Sequence, residues 1–335
     1  MKILSLFDGM SCGRIALERA GFKVGKYYAS EIDKWATLVT RKNYPNTIHL
    51  GDITAWKDWK IEQPDIIIGG SPCQGFSIAG KQLNFNDPRS KLFFTFVDIL
   101  KHYKPKYFLL ENVVMKREYL DVISEALGVE PIKINSALVS AQNRKRLYWT
   151  NIPGIEQPED LGIVLKDVLE HSPVGDKYRI SSDSKFIPKD ITTSVIDPYN
   201  KKCVSPDKST TLRLNHSNGN CWVADTQMQK GCIQIGEADL KGHDSIKRVY
   251  SEDGKSPALT TMGGGHREPK VAIDKLQWRK LTPIECERLQ TVPDKYTLVP
   301  WKNRMMSNSQ RYKMLGNGWT VDVIAHIFSY MKEEL

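Results

Sequence analysis

The run Ile66-Ile67-Ile68 passes through Gly69, Gly70, Ser71 and Pro72 into Cys73, and the chain then turns polar at Gln74 to Ser77. A cysteine at such a turn is a nucleophile, a metal ligand or a small residue filling space. Farther on, "KYFLLENV" carries an apolar run into Glu111, and "QNRKR" offers Arg144 and Arg146. A thiolate, a carboxyl and a guanidinium brought together suit covalent chemistry on a heterocycle. The six cysteines (Cys12, Cys73, Cys203, Cys221, Cys232 and Cys286) include no C-x-x-C pair. That spacing argues against a zinc site or a disulfide framework, so no metal is expected.

A second group of residues describes a binding pocket. "SLFDGMSCG" places Asp8, Gly9 and Gly13 between an apolar strand and a helix, where backbone amides and the helix N-terminus face a ligand. The pattern is not G-x-G-x-x-G, so a pyrophosphate-bearing dinucleotide fits poorly. Glu31 follows Gly13 by 18 positions, close to the roughly 20-residue offset at which an acid meets ribose hydroxyls. Asp52, in "LGDI", could accept from an adenine amino group. Acids at successive strand ends describe a site for a nucleoside without a diphosphate.

These side chains can meet only if a particular set of elements positions them. Ile3 to Leu6, "KYYASE", "IHLGD", "PDIIIGG" and "KYFLLEN" read as strands. Helical patterns lie at Arg14 to Ala20, in "KWATLVTRKNY", and near 91–103 and 117–127. Such alternation predicts an α/β fold with a mostly parallel, doubly wound, Rossmann-like sheet whose ligands bind at the carboxyl edge. From about 153 the periodicity fades into short β-like pieces, and near 278 helical patterns return in "TPIECERLQ" and "VDVIAHIFSYMK". The expected division is 1–152 plus 278–335 as one domain and 153–277 as a smaller, mostly β domain. Within the latter, "DKSTTLRLNHSNG" (207–219) faintly echoes "DGKSPALTTMGGGH" (253–266).

The chain has 335 residues and a formal net charge of +9. Residues 1–150 carry 22 Lys+Arg against 15 Asp+Glu, 278–335 carry 9 against 6, and 151–277 carry 17 against 18. A polyanion would therefore be drawn mainly by the outer segments. No apolar run approaches a membrane span and the N-terminus turns polar early, so a cytoplasmic, nucleoid-associated protein is expected.

Taken in order, "FDGMSCG", "ASEID", "GDI", "GGSPCQGFS", "ENV", "QNRKR", "RKLTPIECERLQTVP" and "LGNGWTV" make the sequence resemble the cytosine-C5 DNA methyltransferases of bacterial and phage restriction–modification type. The resemblance covers 1–152 and 278–335. It implies S-adenosylmethionine as cofactor, leaving as S-adenosylhomocysteine. Phe7, Asp8, Gly9, Ser11, Cys12, Gly13, Glu31, Ile32, Asp52, Ile53 and Pro72 would surround it, with Asn317 and Trp319 approaching from the C-terminal segment.

The resemblance also implies that Cys73 adds to C6 of cytosine, that Glu111 protonates N3, and that Arg144 holds the base, with Arg146 beside it. The cytosine must leave the duplex to be reached. "GFSIAGKQLNFNDPRSK" would close as a lid, with Gln74, Ser77, Arg89 and Lys91 near DNA. Ser90 stands where many relatives have glycine, and only part of the family shares Trp319. The 125-residue segment 153–277 lies where the family keeps its target-recognition domain. Its candidate DNA contacts are Arg213, His216, Asn218, His266 and Arg267, an arginine being suited to reading guanine. The expected partner is double-stranded DNA, bound by a monomer, with any cognate restriction endonuclease acting separately. The rival readings are a tRNA cytosine-C5 methyltransferase and a catalytically silent DNA-binding relative.

Overall fold

The computed structural model describes residues 1–71, 88–171, 231–272 and 278–331, and between 172 and 230 only 174–175, 178, 186–188, 195–196 and 203–204. The N-terminal strands are β1 (Lys2–Leu6), β2 (Lys26–Ser30), β3 (Ile48–His49), β4 (Ile66–Gly69), β5 (Tyr107–Val113) and β6 (Ile132–Asn135). The short β7 (Gln142–Asn143) and then β8 (Lys145–Thr150) follow. Seven of these make one sheet in the order β3-β2-β1-β4-β5-β8-β6.

Strand side chains alternate between two cores, as a pleated ribbon requires. Ile3, Ile66, Ile68, Leu109 and Tyr148 face one hydrophobic cluster, while Leu4, Ile67, Phe108, Leu110 and Trp149 face the other. Helices α1 (Cys12–Arg19) and α2 (Lys34–Asn43) cover the first side, and α3 (Pro88–Tyr103) and α4 (Arg117–Leu127) cover the second. Burial on both faces explains why these strands read as unbroken apolar runs. The Asp33 carboxylate caps α2 through Trp35 N, and Gly128, at φ 72°, ends α4 in the left-handed region.

The expectation of a mostly parallel sheet holds for β3 through β5. The antiparallel remainder is the far edge, where β8 runs antiparallel to both β5 and β6. The link from β6 to β8 is too short for a helical crossover, so the chain doubles back and inserts between strands.

The second sheet is built from β9 (Phe186–Pro188), β12 (Gln234–Ala238), β13 (Arg248–Tyr250), β15 (Lys270–Ala272) and β16 (Trp278–Lys280). Between its members lie the paired β10 (Val195–Ile196) and β11 (Cys203–Val204), and β14 (Ser256–Pro257). Residues 278–280 pair with β15 and so complete this sheet rather than returning to the first. β14 instead pairs in parallel with β7, fastening the second region to the first. Two short helices, α5 (Leu165–Val168) and α6 (Asp244–Lys247), lie along this part of the chain.

The last segment contributes α7 (Pro283–Leu289), α8 (Asn308–Asn317) and α9 (Val321–Phe328), which pack into the first core cluster. α7 starts with a capping box in which Thr282 and Glu285 satisfy each other's backbone amides. Glu285 and Glu287 are fully buried, which an exposed-helix reading of "IECERL" does not anticipate. Each has a buried arginine: Arg279 grips Glu285 with two bonds of 2.6 and 2.7 Å, and Arg311 Nη2 meets Glu287 Oε1 at 2.9 Å. Breaking such a pair strands a buried charge, whereas removing both members does not. Arg311→Leu is expected to lower the unfolding free energy by about 3–5 kcal/mol in chemical denaturation, with Glu287→Leu added to it recovering part of the loss.

Candidate active site

The carboxyl edge of the sheet begins with the turn after β1. Phe7, Gly9 and Ser11 all take positive φ (57°, 60° and 62°), folding the chain back on itself before α1. Inside the turn, the Asp8 carboxylate accepts from Tyr27 OH and from Ser11 Oγ, each at 2.6 Å. Ser11 Oγ also lies 2.9 Å from Thr40 Oγ1. Asp8 and Ser11 therefore shape the turn with their side chains, while Cys12 is buried in the first core. Burial raises the Asp8 carboxyl to about 6 against the hydrogen bonds from Ser11 and Tyr27, with nearby Glu31 adding to the rise.

Glu31 joins two loops. Its Oε2 accepts from Gly9 N at 2.7 Å, and its Oε1 accepts from the amides of Ile32 and Asp33 at 2.8 and 2.7 Å. The next residue, Ile32, leaves 77% of its surface exposed beside this carboxylate. Asp52 caps the short 3-10 helix Ile53–Asp58 through Oδ1, and Ile53 is buried beneath it. Phe7 packs on the second core. These residues thus form a polar rim with an apolar flank.

The second half of the site gathers over Gly70. A Cβ there would stand 3.1 Å from both Glu111 Oε2 and Trp319 Nε1, so the two side chains meet where glycine leaves room. The far edge of the Trp319 indole approaches Gly13, whose own Cβ would lie 3.3 Å from Trp319 Cζ3. Asn317 is exposed at the end of α8. Arg146 Nε contacts Glu111 Oε1 at 2.9 Å, and both side chains are largely buried. Register explains the pair. Glu111 lies opposite Tyr148 and Val113 opposite Arg146, so Glu111 and Arg146 are diagonal neighbours on one face.

Arg144 behaves differently from the expectation that it holds a base. It is 4% exposed, and its guanidinium donates to the carbonyls of Leu259, Gly316 and Gly318 at 3.1, 3.3 and 3.1 Å. Lying just ahead of β8, it turns into the junction with the second region while Arg146 turns to Glu111. Sequence reasoning also passed over Asn112. Buried at 1%, it donates from Nδ2 to Ser71 Oγ at 3.2 Å and holds the exit of β4. Its place beside Glu111 in "ENV" was the available signal.

Cys73, Pro72, Gln74 and Ser77 lie outside the described residues, as do Arg213, His216, Asn218 and the 207–219 half of the internal echo. The expected lid is likewise outside them, except that Pro88 to Lys91 open α3, placing Arg89 in its first turn and Lys91 exposed behind it. Among the described cysteines, Cys12 and Cys286 are buried, and burial pushes the Cys12 thiol up to about 12. Neither offers a ready thiolate. No group of three or more potential metal ligands occurs among the described residues, and no described helix is long and apolar enough to cross a membrane.

On the second region, a cavity of about 510 Å³ is lined by His243, Arg248, Tyr250, Thr260, Arg267 and Lys270 among others. Burial lowers the Lys270 ammonium to about 8, and it donates to the carbonyls of His266 and Glu268. It thereby holds the loop that presents Arg267, with His266 at φ 61°. Arg248 had no distinguishing sequence signal, because only the sheet brings it beside Arg267.

A family model described as C-5 cytosine-specific DNA methylase matches residues 1–333. The orphan methyltransferase M.Rho11sI of Bacillus phage rho11s is 31% identical over an alignment of 500 residues, covering 100% of this chain and 99% of its own. The type II methyltransferase M.HhaI of Haemophilus parahaemolyticus is 28% identical across 98% of this chain and 93% of its own. Among solved structures, the Entamoeba histolytica methyltransferase EhMeth is similar in fold, with a TM-score of 0.66 at 16% identity over 98% of this chain and 97% of its own.

The raised Asp8 carboxyl gives a test of the turn. Asp8 holds its proton more tightly when folded, at about 6, than at its ordinary 3.8, so its ionisation erodes stability as pH rises from about 4 to 6. Asp8→Asn removes that dependence. The melting temperature of the variant minus that of the parent is expected to be greater at pH 7.5 than at pH 4, as read by calorimetry without ligand.

Proposed function

The chain belongs to the C-5 cytosine-specific DNA methylase family and is a DNA cytosine-5 methyltransferase, and on that premise we propose how its residues divide the reaction. The family uses S-adenosylmethionine, which supplies an electrophilic methyl group on a sulfonium. The donor set suits it. Glu31 Oε2 accepts one amide and keeps a lone pair for a ribose hydroxyl, the exposed flank of Ile32 suits the adenine face, and Asp52 the adenine amino group. Phe7, Gly9, Gly13, Asn317 and Trp319 frame the remainder.

Cys73 follows Gly70 by three residues, and the observation that carries the reading is what meets at Gly70: Glu111, held by Arg146, beside Trp319. The Cys73 thiolate forms a bond to C6 of a flipped cytosine while the Glu111 carboxyl delivers its proton to N3. Arg146, 2.9 Å from Glu111, steadies the carboxylate left behind and faces the charge that develops on the ring. C5 then takes the methyl group, a base removes the C5 proton, the bond from Cys73 to C6 breaks, and N3 returns its proton. The role first expected of Arg144 passes to Arg146.

We assign target recognition to 153–277, and extend it to Lys280 because β16 pairs with β15. The basic cavity around Arg248 and Arg267 is its DNA-facing part, where a guanidinium can read a guanine edge. With methyl-labelled cofactor and duplex DNA, label is expected on cytosine C5 and to be abolished by Cys73→Ser. Arg146→Lys should lower kcat by roughly 100-fold. Label on an exocyclic nitrogen, or full activity in either variant, would overturn the assignment.

A further inference from the structure

The guanidinium of Arg144 joins three parts of the chain that the proposed reaction keeps separate. Its own backbone sits at the corner between β7 and β8, with its amide donating to Asn135 Oδ1 at 3.0 Å. One nitrogen reaches Leu259 O, in the segment that follows β14 towards the basic cavity. Another reaches Gly316 O and Gly318 O, on either side of Asn317 and directly before Trp319. A buried arginine keeps its charge, so carbonyls such as these stand in for water around it.

The same junction is closed from a second direction. A Cβ on Gly316 would stand 2.0 Å from Thr260 O and 2.3 Å from the Thr260 carbonyl carbon, so the end of α8 lies against the backbone of the second region. Around it, Leu259 N donates to Gln142 Oε1 at 2.9 Å, and Ser256 N to Ala141 O at 2.7 Å. The buried Lys255 ammonium donates to the carbonyls of Ala137, Ser140 and Ile163. Residues 255–260 are thus pinned along their length to the first region. At Leu259 and Thr260 they also meet the loop leading to Trp319.

We infer that Arg144 is a positioning residue that couples DNA recognition to the cofactor side of the active site. Any ligand that fixes the Gly316–Trp319 loop also fixes Leu259 O, and DNA seated on the second region fixes the same guanidinium from the other end. Neither ligand needs to touch Arg144. By linkage, each binds more tightly in the presence of the other and by an equal factor. Arg144→Lys keeps the charge but supplies a single ammonium where a planar fork spans three carbonyls. The inference rests on the proposed placement of cofactor beside Trp319 and of DNA on the second region.

The test measures the dissociation constant of S-adenosylhomocysteine for the intact protein by calorimetry, with and without saturating sonicated genomic duplex DNA. The parent is expected to bind it at least about 5-fold more tightly with DNA present. Arg144→Lys and Gly316→Ala should each bring that ratio to within about 2-fold of unity. Where a variant fails to fold, hydrogen exchange on the parent decides, since S-adenosylhomocysteine alone should slow the amides of 256–261. A parent ratio of one, a ratio unchanged in both folded variants, or no slowing in 256–261 overturns the inference. Failure of the parent to bind S-adenosylhomocysteine at all would instead overturn the proposed cofactor site.

Discussion

The ion pair between Glu111 and Arg146 is the constraint from which the rest of the site follows. In the proposed reaction Glu111 exchanges a proton with a ring nitrogen, which calls for a fixed direction and a compensating charge at close range. Antiparallel pairing of β8 with β5 provides both, because it sets Arg146 diagonally across from Glu111 on the same face. Had β8 continued the parallel pattern of its neighbours, Arg146 would have met β5 in another register. Gly70 completes the arrangement by leaving its Cβ space to Glu111 and Trp319. Asn112 does a related job, tying Ser71 to β5 at the point where the chain leaves β4.

The proposed cofactor side has a parallel logic on a different scale. Glu31 spends its oxygens on three backbone amides, which locks the turn after β1 to the start of α2. Asp8 works beneath the same turn, accepting from Tyr27 and Ser11 while burial raises its pKa. A strained turn of three positive-φ residues is thereby held in shape before any ligand arrives, which reduces what binding must order. The C-terminal segment joins through Trp319, and its own footing rests on the buried Glu285 and Glu287 of α7.

The sequence was most legible where burial is two-sided. Ile66 to Ile68 and Phe108 to Leu110 alternate between the two cores, so their strands appear as plain apolar runs ending at functional residues. It was least legible where polar residues are buried by long-range partners. "KRLYWT" opens with two cations and gives no sign that it inserts between β5 and β6. Arg144 and Arg146 are two positions apart and alike in type, and only the strand register sends one to Glu111 and the other to Leu259, Gly316 and Gly318. Glu285 and Glu287 look like the solvated face of a helix until Arg279 and Arg311 arrive from outside it. The basic cavity is equally invisible along the chain, because Arg248 and Arg267 become neighbours only through the second sheet.

The central claim is that Cys73 attacks a cytosine presented to Glu111 and Arg146. Replacing the C5 hydrogen of target cytosines with fluorine blocks the final loss of the C5 proton and should leave the protein bonded to DNA. Peptide mapping of that complex by mass spectrometry is the direct measurement. The account predicts a single adduct, on Cys73, carrying the transferred methyl group. An adduct on any other residue, or turnover on the fluorinated DNA without one, would contradict it.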